Sequence, residues 1–356
     1  MNLKGLRKTV DSIDSQILKL LNKRAGVILD IGKTKHKKRE SIYVPHREKD
    51  VYKKLMTKNA GPMPNDALKA IFREIMSSAL QLERPISIAY LGPEFTFTHL
   101  ASMKKFGSSV NYASCETITD IFSEVEKGRA DYGVVPIENS IDGAVTHTLD
   151  MFIDSELKIC SEVFLEISHN LLSRESKKDK IKKIYSKAQV FAQCRIWLES
   201  NLPKVELVEV SSTAKAAEIA AKEPRSACIA SEPAAMKYNL NVLYRSIEDS
   251  AHNVTRFLVI GRTDAKPTKE DKTSIMFSVK DRAGALHDML VPFKKYKINL
   301  TKIESRPSKV RVWEYYFFVD LEGHHMNLRV AKALNELEKV SSYMKTLGSY
   351  PVENNV

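Results

Sequence analysis

A length of 356 residues exceeds one ordinary core and implies two or three domains, while 43% hydrophobic and 28% charged residues are usual for a globular protein. No run of about 18 apolar residues is present and no basic-then-apolar signal pattern opens the chain. Cys115, Cys160, Cys194 and Cys228 form no CxxC pair, so the expectation is free thiols in the cytoplasm, with no membrane partner. A net charge of +12 admits either small anionic substrates or nucleic acid. Its densest run, KTKHKKR at 33–39, has no interleaved aromatics, and no nucleic-acid partner is expected.

The first stretch is helical. Leu3, Leu6, Val10, Ile13, Ile17, Leu20 and Leu21 keep a three-four rhythm that continues through Val27, Ile28 and Ile31, with no proline before Ser41. The pattern predicts one helix of about 35 residues, which needs a partner helix to cover its stripe. A second helix starts near Pro45 and ends around Asn59 to Pro62. A third is capped at Asn65 or Asp66 and stops at Pro85. Beyond Pro85 the period changes. Ile86 to Leu91 and Tyr132 to Val135 read as strands, a helix covers Leu100 to Phe106, and α/β alternation continues to Gly261. RTDAKPTKEDK at 262–272 reads as a linker. The last part predicts strand (Ser274 to Val279), helix (Leu286 to Tyr296), strand (Ile298 to Ser305), strand (Trp313 to Asp320), helix (Leu328 to Val340) and a short strand near Tyr350, a ferredoxin-like βαββαβ unit.

Arg24 and Lys35 are about three helical turns apart, on one face and about 16 Å distant along the axis. Arg7 lies about 25 Å before Arg24 and about 100° around the helix, so one helix cannot aim all three at one small molecule. An antiparallel helix from a second chain could. With GLRKTVDSIDSQILKLLNKR, GKTK and YVPHRE, residues 3 to 84 resemble the all-helical chorismate mutase family. The resemblance implies that Arg7, supplied by the partner subunit, and Arg24 hold substrate carboxylates. It implies further that Lys35 donates to the ether oxygen, Glu48 accepts from the substrate hydroxyl, Arg47 lines the pocket, and Glu83 stands at the ether oxygen. Arginine forks suit a dianion held in a compact geometry, and the pericyclic reaction needs no nucleophile or metal. Glu83 replaces a glutamine found in some members and donates only when protonated, which predicts a mutase rate that falls as pH rises. Ala79 replaces a serine. Lys33, Lys37 and Lys38 read as solvated residues.

GPEFTFTHLA (92–101), VPIENS (135–140), YSKAQVFAQC (185–194) and NVTRF (253–257) each follow an apolar strand-like run, the usual place for ligand contacts in α/β sheets. In this order they resemble prephenate dehydratase, whose two subdomains are related to periplasmic binding proteins and hold substrate between them. The resemblance implies that Thr255 lies nearest the leaving hydroxyl. It places Glu138, Asn139, Ser140, Ser186, Gln189, Gln193, Asn253, Arg256 and Phe257 around the substrate. Glu138 is a candidate proton source or orienting group, and Gln189 and Gln193 share a helix face at i and i+4. His169 reads as structural. Phe95 stands where the family carries a small residue, often glycine, and Lys187 where histidine is common. No metal spacing and no phosphate loop occur, and no cofactor is implied.

DRAGAL (281–286) and KIESRP (302–307) resemble the effector-binding signatures of the ACT domain. The resemblance implies phenylalanine near Gly284, Ala285, Leu286, Glu304 and Ser305, with the pairing of domains common in that family. The expected architecture is multidomain: helical chorismate mutase at 1–84, a two-subdomain α/β dehydratase at 86–261 and a ferredoxin-like ACT domain at 273–351. The resemblances together imply an enzyme converting chorismate through prephenate to phenylpyruvate, inhibited by phenylalanine, as a homodimer or higher homo-oligomer. Two rival readings are a sensing protein that uses its cleft only to bind, and a dehydratase whose helices serve only dimerisation or allostery. Thr255 with Glu138 and the glutamines argues against the first, while Ala79 gives the second some weight.

Overall fold

The computed structural model describes residues 2–38, 43–279, 282–307 and 315–353. It divides into two compact units, Met1–Ser87 with Lys105–Asn111, and Ile88–Lys104 with Tyr112–Val356. In the first, α1 (Leu3–Lys38) packs on α3 (Asn65–Glu83), with α2 (Pro45–Lys58) between them in sequence. Proline shapes these boundaries. Pro45 supplies a preset φ at the start of α2, and α3 ends at Glu83 because Arg84, preceding Pro85, is extended. Packing on α3 leaves most of the α1 stripe uncovered, with Leu3, Leu6, Val10, Ile13, Ile17 and Leu20 each at least 47% exposed. The stretch 105–111 completes this unit. The Ser108 N–H and Oγ donate to Glu74 at 2.9 and 2.6 Å, and the Ser109 N–H donates to Ser77 Oγ at 3.0 Å.

The second unit contains three sheets. The first runs β2 (Asn111–Cys115), β1 (Ser87–Leu91), β3 (Tyr132–Asn139), β11 (Val254–Gly261) and β5 (Lys158–Glu166), with the two-residue β4 (Gly143–Ala144) paired to β3. The chain then enters a second sheet, ordered β10 (Asn241–Tyr244), β6 (Asn170–Ser173), β9 (Ser226–Ala230), β7 (Lys183–Ser186) and β8 (Glu206–Glu209). It returns through β11, which lies antiparallel between β3 and β5. Two crossings thus make two α/β halves, as the sequence implied. The third sheet, β13 (Leu300–Pro307), β14 (Tyr315–Glu322), β12 (Asp271–Val279) and β15 (Tyr343–Pro351), is antiparallel. With α11 (Ala285–Lys295) and α12 (Leu328–Val340) it forms the expected βαββαβ unit.

Strand alternation gives this third sheet two apolar faces. Ile275, Phe277, Val319 and Leu321 pack with α11 and α12. Met276, Phe318, Leu347 and Tyr350 join Ile137, Ile159, Leu258 and Ile260 of the first sheet in one buried cluster. The fit is close enough that Gly348, at φ +155°, places the site of a Cβ 2.2 Å from the carbonyl oxygen of Ile159. Several element boundaries differ from the sequence reading; β3 runs on to Asn139 and β13 spans Leu300–Pro307. Helix α4 (Phe97–Phe106) starts before Leu100, where Thr96 Oγ1 accepts from the His99 N–H. β12 starts at Asp271, whose carboxylate accepts from the Thr268 N–H and hydroxyl and shortens the linker. β15 has nine residues because it pairs along β12 to Asp271. Asp281 and Trp313 lie outside the described residues.

Candidate active sites and effector region

In the helical unit, Gly32 is buried against Glu83, and a Cβ there would lie 2.8 Å from Glu83 Cγ. This approach of α1 to α3 brings Lys35 Nζ to 3.0 and 3.3 Å from the two Glu83 oxygens, with only 7% of the Glu83 side chain exposed. Arg24 is half-buried and donates to the Ile75 carbonyl at 3.5 Å. Burial holds its guanidinium below its ordinary pKa. Ala79 is buried on the same helix as Glu83. Glu48 receives the Tyr43 hydroxyl at 2.9 Å and pairs with Lys105 Nζ at 3.3 Å. Arg7 and Arg47 are exposed. Arg24, Lys35 and Glu83 therefore lie on the facing α1–α3 pair, while Arg7 stands far along α1, as its spacing required.

In the second unit, register places Thr255 of β11 opposite Asn139 of β3. Asn139 Nδ2 donates to Thr255 Oγ1 at 2.8 Å and to Asn253 Oδ1 at 2.7 Å, while Asn139 Oδ1 accepts the N–H groups of Ile141 and Asp142. Since Thr255 Oγ1 accepts from Asn139, its own hydrogen is available to another acceptor. The Asn253 amide donates to Gln193 Oε1 at 3.1 Å, and His169 Nε2 lies 2.7 Å from the same oxygen. That carbonyl partner requires His169 to carry its proton on Nε2. Burial pushes the His169 pKa down, consistent with a neutral ring. Gln189 and Gln193 both belong to α7 (Ala188–Gln193). Each donates to one oxygen of Asp142 at 2.7 Å, so the i, i+4 pair does share a face. Asp142 follows β3 and the glutamines follow β7, so this contact joins the two α/β halves. Sequence reasoning missed Asp142; the signal was its place three residues beyond Asn139, in the turn before β4.

Other expected residues have different surroundings. Ser140 Oγ donates to the His252 carbonyl and accepts the Val254 N–H. Ser186 is fully buried and donates to the Ile229 carbonyl. Phe257 is 1% exposed. Arg256, next to Thr255 and so on the opposite strand face, donates to Glu162 at 2.8 Å, Asp320 at 2.6 Å and the Tyr350 hydroxyl at 2.9 Å. Glu138 pairs with Lys302 of β13 at 2.9 Å and stands 3.9 Å from Arg256. Phe95 adopts φ +67°, a left-handed backbone that favours glycine, and its ring lies 4.9 Å from Lys237 Nζ of α10 (Glu232–Tyr238). Lys237 also pairs with Glu94, and Ser231 Oγ donates to the Phe95 carbonyl at 3.2 Å, so this loop also spans the two halves.

In the C-terminal unit Gly284 is the N-cap of α11 at φ +77°, followed by buried Ala285 and half-buried Leu286. Ser305 pairs with Phe317, which packs on the helix side of the sheet, so Ser305 and the α11 N-terminus share that side. Glu304 pairs with Phe318 and points to the opposite face, the face on which Lys302 meets Glu138. Alternation alone separates the two side chains.

The fold and these sites define a class: a multidomain enzyme of small anionic substrates carrying a C-terminal effector-type domain. Family models agree along the chain. Chorismate mutase type II matches residues 6–84, Prephenate dehydratase residues 88–265 and ACT domain residues 273–339. The chain is 53% identical over 353 residues to a bifunctional chorismate mutase/prephenate dehydratase of Aquifex aeolicus, covering 98% of both chains. It is 46% identical over 355 residues to one from Pseudomonas aeruginosa, covering 98% of this chain and 97% of that one. A solved prephenate dehydratase from Arthrobacter aurescens, in complex with L-Phe, superposes with a TM-score of 0.71 at 34% identity, covering 75% of this chain and 90% of that one. The chain belongs to the bifunctional chorismate mutase/prephenate dehydratase family.

Proposed function

We propose that this protein rearranges chorismate to prephenate in its helical segment, 1–84, converts prephenate to phenylpyruvate in 86–261, and is inhibited by phenylalanine bound in 273–351. The observation that carries the dehydratase reading is the Thr255 hydroxyl, accepting from Asn139 with its hydrogen free. Prephenate loses its ring carboxylate as carbon dioxide. The freed electron pair completes the aromatic ring, and the ring carbon–hydroxyl bond breaks with a proton added to the departing oxygen. Thr255 donates to that oxygen and lowers the charge developing on it. Neutral donors, Asn139, Asn253, Gln189 and Gln193, suit the two substrate carboxylates. The Gln189 and Gln193 amides converge on one carboxylate oxygen of Asp142, a geometry that a substrate carboxylate also satisfies. Ser140, Ser186, Phe257 and Arg256 support this site by holding backbone, core and sheet in place. Glu138, paired with Lys302, is an orienting group rather than the proton source.

In the mutase site Arg24 and a partner's copy of Arg7 hold the substrate carboxylates, with Lys35 and Glu83 at the ether oxygen, Glu48 at the hydroxyl and Arg47 at the rim. The exposed α1 stripe supports a homodimer, since a helix this long with its apolar side open needs a cover. Edge strand β13 adds a second surface suited to pairing. Phenylalanine binds beside Gly284, Ala285, Leu286 and Ser305. Lys302 links the adjoining strand to Glu138, one residue from the Thr255 partner Asn139, which gives inhibition a short physical route. Cytoplasmic placement is supported by four buried free cysteines. No described helix is long and apolar enough to cross a membrane.

Two variants test the assignment. Arg24→Ala is expected to lower chorismate turnover about 100-fold or more while supplied prephenate is still dehydrated. Thr255→Ala is expected to do the reverse, by about 100-fold. Parallel loss of both activities in either variant would reject separate sites.

A further inference from the structure

The mutase-type Glu48 is not held by its own helices alone. Its carboxylate is 14% exposed and has the Tyr43 hydroxyl at 2.9 Å and Lys105 Nζ at 3.3 Å on the same oxygen, Oε2. Lys105 is itself only 10% exposed. It lies near the C-terminal end of α4, beyond the residues matched by the chorismate mutase family model, 6–84. The approach is built rather than incidental. The Phe106 ring packs tilted against Tyr43, centroids 4.9 Å apart, and Ser108 and Ser109 bind Glu74 and Ser77 of α3. The Tyr43 and Lys105 donors to Glu48 are therefore placed by one buried patch.

We propose that Lys105 is a positioning residue of the mutase reaction, holding the Glu48 carboxylate in the orientation that meets the substrate hydroxyl. A charge-assisted contact from a lysine to one carboxylate oxygen restricts how that carboxylate turns. The geometry accordingly places one determinant of mutase activity in a stretch that sequence similarity assigns to the dehydratase. This inference rests on the reading of Glu48 as the hydroxyl acceptor.

The test uses the full chain, with dehydration of supplied prephenate as the internal measure of folding. Lys105→Met is expected to lower mutase kcat/KM at least about 10-fold, chiefly through kcat, with dehydratase rate unchanged. Lys105→Arg is expected to recover it to within about three-fold. In a Glu48→Gln background, Lys105→Met is expected to add little, because it acts through that carboxylate. A slow Glu48→Gln beside a Lys105→Met within two-fold of wild type would overturn the inference alone. Multiplying effects in the double variant, or loss of both activities in Lys105→Met, would overturn it by assigning Lys105 a purely structural role. Full mutase activity in Glu48→Gln would remove the reading of Glu48, and the inference with it.

Discussion

Thr255, the donor proposed above, is by itself a very weak acid: Asn139 occupies one of its lone pairs and leaves its hydrogen to point elsewhere. The next residues outward, Asn253 and Gln193, repeat the pattern of neutral amides whose orientations determine one another, and His169 ends the chain. This ending has a pH consequence. Burial depresses the His169 pKa in the folded protein below the ordinary value of about 6.5, so the unfolded chain takes up a proton first as pH falls. The contribution is fully present above about pH 6.5 and is lost as pH drops towards the folded pKa. Thermal melts of wild type between pH 7.5 and 5 should show a steeper loss of Tm than those of His169→Gln. Equal slopes would deny His169 this role. Residue types at this site were readable from four short motifs, Thr255, Asn139 and the glutamine pair among them. Their partners were not. Ser140 and Ser186 look like ligand contacts in sequence because hydroxyls serve backbone and substrate equally well.

Among elements, strand β11 does the most. One face presents Thr255 to the junction of the α/β halves, while the other carries Arg256 into the carboxylates of Glu162 and Asp320. Period-two alternation makes neighbours in the TRF motif serve opposite purposes. The same alternation separates Glu304 from Ser305. Close packing of β15 on β5 is a further property of elements. Gly348→Ala would force a Cβ into the Ile159 backbone at a φ that disfavours side chains. The expected loss is more than about 2 kcal/mol of stability, read as a Tm drop in the dehydratase transition. An unchanged Tm would show that β15 can shift freely. Element types and order were legible in the sequence, because hydrophobic period and proline placement act locally. Among the boundaries that moved, those at α4, β12 and β15 are decided by a hydroxyl cap, an aspartate turn and a paired strand.

For the whole molecule, the uncovered stripe on α1 and the distance of Arg7 from Arg24 make the same demand from different physics. The stripe needs apolar cover, and the mutase site proposed above needs a cation that its own chain places too far away. Arg7→Ala and Arg24→Ala chains, each inactive as a mutase alone, should recover about a quarter of wild-type mutase activity when unfolded and refolded together. Half of the dimers would be mixed, with one intact site of two in each. No recovery would place Arg7 in the same chain's site. By itself the sequence determined three segments with their fold classes, the helical cations at fixed spacing and the motif around Thr255, since all of these follow from local periodicity and residue chemistry. Only tertiary structure decided that Arg256 and Glu138 belong to ion pairs with the C-terminal sheet, that Asp142 meets the glutamines and that Lys105 reaches Glu48. Those pairings join residues far apart in the chain, and a long flexible side chain's partner is set by packing that no local pattern records.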